Sequence, residues 1–351
     1  MMPPIDGLES DLQKYLLEML AIPSPTGFTD EISHYICERL NELGVAYDLT
    51  RRGTILAHYP GTHSAPARAV VNHIDTIGAQ VAALKPNGRL ALIPVGTWSS
   101  RFAEGGRVTI FSQRGAWRGQ VLPLLASGHA FNERVDQLPI SWSHIEVRIN
   151  EPVYSENDLR DLGVQVGDFV AFDSDPEVSS SGYISGRHMD NKAGAAALLM
   201  TLKILRDKQI VPFVDLHAIF TVTEEVGTGA SATLPDTVGE FVGIDIGPVA
   251  PGQNAKETGV TLCALDTSGP FNQRLVRTLR SLCRAHSIPH QMDMFRYYYS
   301  DANSAIKAGN DVRDALITFG TDATHGYERT HMNSLVSIAR LLVCYAQSQH
   351  E

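Results

Sequence analysis

The sequence predicts an α/β protein: a three-layer sandwich around a mostly parallel central sheet, interrupted by a β-rich insertion. Three observations carry this. Apolar, strand-like runs recur at ARAVVNHID (67–75), PFVDLHAIFTVTEE (212–225), GEFVGIDIG (239–247) and DALITFG (314–320). Between and after them stand stretches with helical spacing: GRHMDNKAGAAALLMTLKILRD (186–207), FNQRLVRTLRSLCRAHSI (271–288), SDANSAIKAGND (300–311) and NSLVSIARLLVCYAQ (333–347). Such alternation predicts parallel strands with helices on both faces of the sheet. The segment from about Ala79 to Tyr183 differs. It is rich in Gly, Pro and β-formers (GRLALIPVG, RVTIFSQRG, GQVLPLL, HIEVRI, VGDFVAFDS) and has little helical spacing beyond ENDLRDLG. The expected division is a main domain of residues 1–78 and 184–351, with residues 79–183 inserted.

The N-terminal elements follow the same logic. LESDLQKYLLEML (8–20) places Leu8, Leu12, Leu16, Leu17 and Leu20 at helical spacing, and PSPTG (23–27) is a turn cluster. Thr29 is positioned to cap a second helix that carries Ile32, Ile36 and Leu40 on one face and stops at Gly44. Val45–Thr50 and Thr54–Tyr59 then read as strands.

Composition narrows the function classes. The 351 residues are 43% hydrophobic and 19% charged, with a formal net charge of -10, and no Lys/Arg cluster stands out. Nucleic acid is therefore an unexpected partner. Cys37, Cys263, Cys283 and Cys344 are scattered without a CxxC pair and are expected as small core residues. The N-terminus shows no basic segment followed by an apolar one. The longest apolar run, AGAAALLMTL, lies between Lys192 and Lys203 and is too short to span a bilayer. A cytoplasmic protein without a membrane partner is expected.

Ligands of open α/β sheets bind beyond the carboxyl ends of the strands. The residues expected there are His73 and Asp75 after AVVN; His188, Asp190 and Asn191 before the long helix; Glu224 and Glu225 after FTVT; Asp245; and Asp322, His325 and His331 after ALITFG. Singly, each has a commoner explanation. A lone Asp before a helix is usually a cap, and a Glu pair is usually solvated. Together, five separate segments bring acids and imidazoles to one edge, which is a metal-ligand pattern. In an extended chain residues two apart point the same way, so Asp75 can stand behind His73, while the neighbours Glu224 and Glu225 should face apart. Carboxylate and imidazole ligands without thiolate suit zinc, and also cobalt or manganese.

The motifs NHIDTIG, HMDNKAG, TEEVGTGAS, GIDIG and ERTHMNS, in that order, resemble those of the tetrahedral aminopeptidases, which are dinuclear-metal exopeptidases that include deblocking and glutamyl aminopeptidases. The opening LLEMLAIPSPTGFTDEISHYICERLNELG is similar to that family's first helices and turn. The resemblance implies that His73 and Asp245 bind one ion, Glu225 and a late histidine the other, and that Asp190 bridges them. It implies Glu224 as general base and Asp75 as the support of His73. His331 is taken as the late ligand because the family carries it in an Arg-x-x-His setting; here Arg329 is closer, and His325 competes. Asp190-Asn191-Lys192 stands where many relatives have Asp-Asp-Arg. With ERTH and YYYSDANSA, this departure resembles the divergent branch associated with an N-acetylglutaminylglutamine amide osmoprotectant. The expected function is release of N-terminal residues from short peptides with two divalent ions per subunit, in a homo-oligomer whose size lies between dimer and dodecamer. The alternative is a related amidohydrolase acting on N-acylated amino acids or dipeptides, whose extra domain usually interrupts the chain later than here. Glycoside hydrolysis needs carboxyl groups about 5–9.5 Å apart across a bond, which an adjacent pair facing apart fits poorly.

Overall fold

A computed structural model describes residues 8–349. The N-terminal seven residues, expected to lack a leader pattern, and the side chain of Leu8 lie outside the described residues. Helix Leu8–Leu20 buries Leu12, Leu16 and Leu20, as its spacing requires. Helix Asp30–Leu43 buries Ile32, Ile36 and Leu40. It ends where Gly44 adopts the left-handed conformation (φ 66°) and donates its N–H to the Asn41 carbonyl. Thr29 holds the capping position, but its side chain makes no cap hydrogen bond.

Among the described residues the main sheet has eight strands, in the order Ala46–Leu49, Ile55–Tyr59, Val214–Thr221, His63–His73, Val238–Pro248, Arg313–Thr321, Val260–Cys263 and His290–Asp293. The central four run parallel to one another. Antiparallel pairs flank them: Ile55–Tyr59 on Val214–Thr221, and Val260–Cys263 on Arg313–Thr321. Val260–Cys263 and His290–Asp293 were absent from the expected strands. Each has only four residues, too short a run to show a period.

Helix Met189–Asp207 is the centre of the packing. It touches helices Leu8–Leu20, Asp30–Leu43 and Met332–Gln347 as well as strands His63–His73 and Val238–Pro248. That explains the apolar run AGAAALLMTL: a helix buried on all sides is apolar all round, and Ala193 through Leu202 are buried. Gly194 leaves room at its start, because a Cβ there would stand 2.2 Å from Asn191 Oδ1 and 2.6 Å from Asn72 Nδ2. The four cysteines are free and buried.

Strands Gly78–Leu84, Arg89–Val95, Ile145–Ile149, Gly115–Pro123, Arg107–Ser112 and Phe169–Phe172 close into an antiparallel barrel in that order. Alternate residues, Val81, Leu90, Val108, Ile110, Val121, Val147 and Val170 among them, fill a second apolar core. After the barrel, strand Tyr183–Gly186 pairs with Glu328–His331, setting Gly186 opposite Glu328. This small sheet brings the start of the central helix against the segment that follows the last long strand. No described helix is long and apolar enough to cross a membrane.

Candidate metal centre

His73 is the last residue of its strand. Its Nδ1 lies 2.9 Å from the backbone carbonyl oxygen of Asp75, so Nδ1 carries the proton and donates it there. Nε2 then faces Asp190 Oδ1 at 3.1 Å, Glu224 Oε2 at 3.6 Å and Asp245 Oδ1 at 3.9 Å. His325 repeats the arrangement. Its Nδ1 lies 3.1 Å from the Thr97 carbonyl oxygen, and its Nε2 faces Asp190 Oδ2 at 3.3 Å and Glu225 Oε2 at 3.5 Å. Asp190 thus presents one oxygen to each imidazole. The result is two groups of ligand atoms, His73–Asp190–Asp245 and Asp190–Glu225–His325, each within 4.8 Å of one another.

A pair of divalent cations fits this arrangement, and the protein groups alone do not close it electrostatically. Asp190 Oδ1 is buried and accepts no hydrogen bond of good geometry despite its closeness to His73. Burial first, then Asp245, Asp301 and Glu225, push the Glu224 carboxyl well above the carboxylate range against the pull of His73. Burial and Asp190 push Glu225 up to about 8, opposed by His325. Burial alone would depress His325, but Glu225 and Asp190 outweigh it and raise the imidazole to about 10. The two imidazoles hold Asp190 ionised, whereas Glu224 and Glu225 resist ionising, so further positive charge at this place would be favourable. Carboxylate and imidazole oxygens and nitrogens, with no thiolate, are the donor set of zinc, cobalt or manganese.

Of the residues expected from sequence, His73, Asp190, Glu224, Glu225 and Asp245 converge here. His331, the expected late ligand, does not. Its Nδ1 accepts the Asn333 N–H at 3.0 Å as the cap of helix Met332–Gln347, and its Nε2 lies 2.9 Å from the Ser181 carbonyl oxygen. Both ring nitrogens are therefore engaged by backbone. The late imidazole in the cluster is His325.

Two details differ in mechanism from the expectation. The strand before the Glu pair ends at Thr221, so Glu224 and Glu225 lie in a turn rather than on an extended chain. They diverge because Asp75 clamps that turn: its Oδ1 accepts the Glu224 N–H (3.1 Å) and its Oδ2 the Glu225 N–H (3.3 Å) and the Thr26 hydroxyl (2.6 Å). Asp75 holds His73 through its backbone carbonyl; its carboxylate stays 3.6 Å from Nδ1.

Glu328 carried no role in the sequence reading. Its side chain is buried, and Oε2 accepts the Asp190 N–H (3.1 Å) while Oε1 accepts the His325 N–H (2.9 Å). One carboxylate therefore sets the spacing of Asp190 and His325. Burial and Asp190 push its carboxyl up to about 7. A glutamine has one acceptor oxygen, so its NH2 would oppose one of those N–H groups. Glu328→Gln should lower metal affinity about 10- to 100-fold, the usual effect of losing a partner of a ligand. Chelator-competition titration measures it, and an unchanged affinity would remove Glu328 from this role.

The cluster opens into a cavity of about 820 Å³. Asp190, Glu224, Glu225, Asp245 and His325 line it together with Tyr297, Tyr298 and Tyr299.

Acids and imidazoles at the carboxyl edge of a mixed α/β sheet form a centre suited to metal-dependent hydrolysis, and comparison with known proteins identifies the class as peptidase. The M42 glutamyl aminopeptidase family matches residues 53–341, and this chain belongs to that family. Among curated relatives, YhfE of Bacillus subtilis (strain 168), a protein whose name assigns it to the aminopeptidases, is 36% identical over 332 residues, 94% of this chain and 96% of its own length. Among solved structures, a TET aminopeptidase from a marine sediment Thaumarchaeota archaeon superposes with TM-score 0.88 at 19% identity, covering 96% of both chains. The TET1 peptidase of Pyrococcus horikoshii gives TM-score 0.85 at 21% identity over 96% of this chain and 100% of its own. These two likenesses speak for the fold.

Proposed function

We propose that this chain removes the N-terminal residue of short peptides at a centre of two divalent cations. The observation that supports it most is Asp190, whose two oxygens face two separate imidazoles. His73 and Asp245 would hold one ion, Glu225 and His325 the other, and Asp190 both. Bound there, such ions supply Lewis acidity and an ionised water at neutral pH. Zinc is the first candidate, with cobalt and manganese next.

The remaining steps belong to the chain. Glu224 takes a proton from the attacking water and delivers it to the nitrogen of the breaking peptide bond, yielding a free amino acid and a peptide one residue shorter. Asp75 fixes Glu224 by holding its N–H. Membership of the M42 family favours an aminopeptidase over a hydrolase of N-acylated substrates. The relatives' assemblies support a homo-oligomer: the Pyrococcus horikoshii TET1 peptidase is described as forming a tetrahedron or an octahedral shell. The inserted barrel is the proposed dimer contact.

The test is a panel of unblocked and N-acetylated di- to tetrapeptides with zinc, cobalt or manganese. Cleavage of unblocked peptides that stops on acetylation or chelation is expected. Preferential cleavage of the acetylated set would replace this reading with the amidohydrolase one.

A further inference from the structure

The cavity reaches beyond the proposed metal centre. Lys307 is the one Lys or Arg among its described lining residues. Lys307 is exposed and appears in none of the ion pairs between described residues. Its Nζ sits 4.7 Å from the centre of the Tyr299 ring. It also lines an adjoining cavity of about 430 Å³ that shares Thr267, Tyr299 and Asn303 with the main one.

The helix that carries Lys307 relates it to the acids. Helix Asp301–Lys307 starts beside the centre: Asp301 Oδ2 accepts the hydroxyl of Thr221 at 2.7 Å, three residues before Glu224. Ala230, at the far side of the Glu turn, donates its N–H to Ser304 Oγ at 2.9 Å. The helix is therefore anchored to the acidic loop at its start and middle and ends in the cation. Six helical steps advance about 9 Å. An extended peptide advances about 3.3–3.6 Å per residue, so the cation lies on the order of two to three residues from the anchored end.

We infer that Lys307 determines specificity by binding a carboxylate of a substrate whose N-terminal residue lies at the metal centre. The Tyr299 ring positions the ammonium. Asp266 in the adjoining cavity acts on it only through space, its two oxygens accepting from Asn303 and the Ser268 N–H, so Lys307 keeps its donors for an incoming carboxylate. A short zwitterionic peptide has its two charges at that order of separation. Its C-terminal carboxylate, or the side-chain carboxylate of an acidic residue, supplies the same chemistry.

This inference rests on the aminopeptidase reading and deepens it. The experiment uses the full-length, metal-loaded protein and reads ratios of kcat/KM. One ratio compares Leu-Gly-Gly with Leu-Gly-Gly-amide; the other compares Glu- with Gln-p-nitroanilide. The wild type should favour the carboxylate form in at least one pair by about three- to tenfold, a preference that shrinks with added salt. Lys307→Met keeps an unbranched side chain without the charge and should bring that ratio to about one; Lys307→Arg should restore most of it, and Lys307→Glu should reverse it. Collapse of the first ratio identifies the terminal carboxylate, and collapse of the second the side chain. Cleavage with both ratios unmoved in Lys307→Met overturns the inference alone. Absence of cleavage of every unblocked peptide by the wild type overturns the aminopeptidase reading, and this one with it.

Discussion

Replacing His325 with alanine should lower kcat/KM by more than the roughly 10- to 100-fold typical of losing a ligand's partner, and bound metal should fall towards one ion per subunit. The same change at His331 should leave both ions in place. The argument is local. His325 Nε2 points at Asp190 and Glu225, so its loss removes a neutral nitrogen from a site otherwise built from carboxylates. His331 instead caps a helix. Its loss should appear in thermal unfolding at about 1 kcal/mol, as for other caps. Metal content by mass spectrometry, with kcat/KM and a melting curve for each variant, separates the two. Loss of metal in His331→Ala with retention in His325→Ala would return the ligand role to His331.

The reversal of these two histidines shows what the sequence could and could not reveal. The strand-end rule placed both after the last long strand, and it favours the nearer one. Between them the chain turns back: Asp322 pairs with Arg329 in an antiparallel bridge, and Glu328–His331 runs along Tyr183–Gly186. That reversal carries His331 away from the edge, and no local pattern in TDATHGYERTH announces it. The family's Arg-x-x-His setting is not met here: Arg329 stands two residues before His331 and serves Glu257, at 2.6 and 3.0 Å. Periodicity did reveal the parallel strands and the helices, since each buries a continuous face. It could not reveal how the strands of residues 79–183 pair, because alternation defines faces and not neighbours. Glu328 was invisible for a related reason. Its value lies in two backbone N–H groups, one of them 138 positions earlier, and only the fold brings them to one carboxylate.

The pair in TEEVGTGAS yields the sharper test of the chemistry. Glu224 and Glu225 share a turn and a clamp, yet Glu224 Oε2 stands 3.6 Å from His73 Nε2 and Glu225 Oε2 stands 3.5 Å from His325 Nε2. If Glu224 acts as the base, Glu224→Gln retains its size and backbone contacts and loses only the ability to take a proton. Its kcat should fall by about 10²–10⁴-fold, the usual worth of a positioned base, with two ions still bound. Glu225→Gln should lose metal first and activity with it, because a neutral amide replaces a ligand carboxylate. The pH profile adds a sign. Base catalysis needs Glu224 ionised, so activity falls as pH drops through its pKa. Burial and its acidic neighbours raise that pKa, and bound cations oppose the rise. The acid limb should therefore move to lower pH as metal occupancy increases. Equal metal loss in both variants would deny Glu224 a role as base alone, and near-normal turnover in Glu224→Gln would assign the proton transfer to another group.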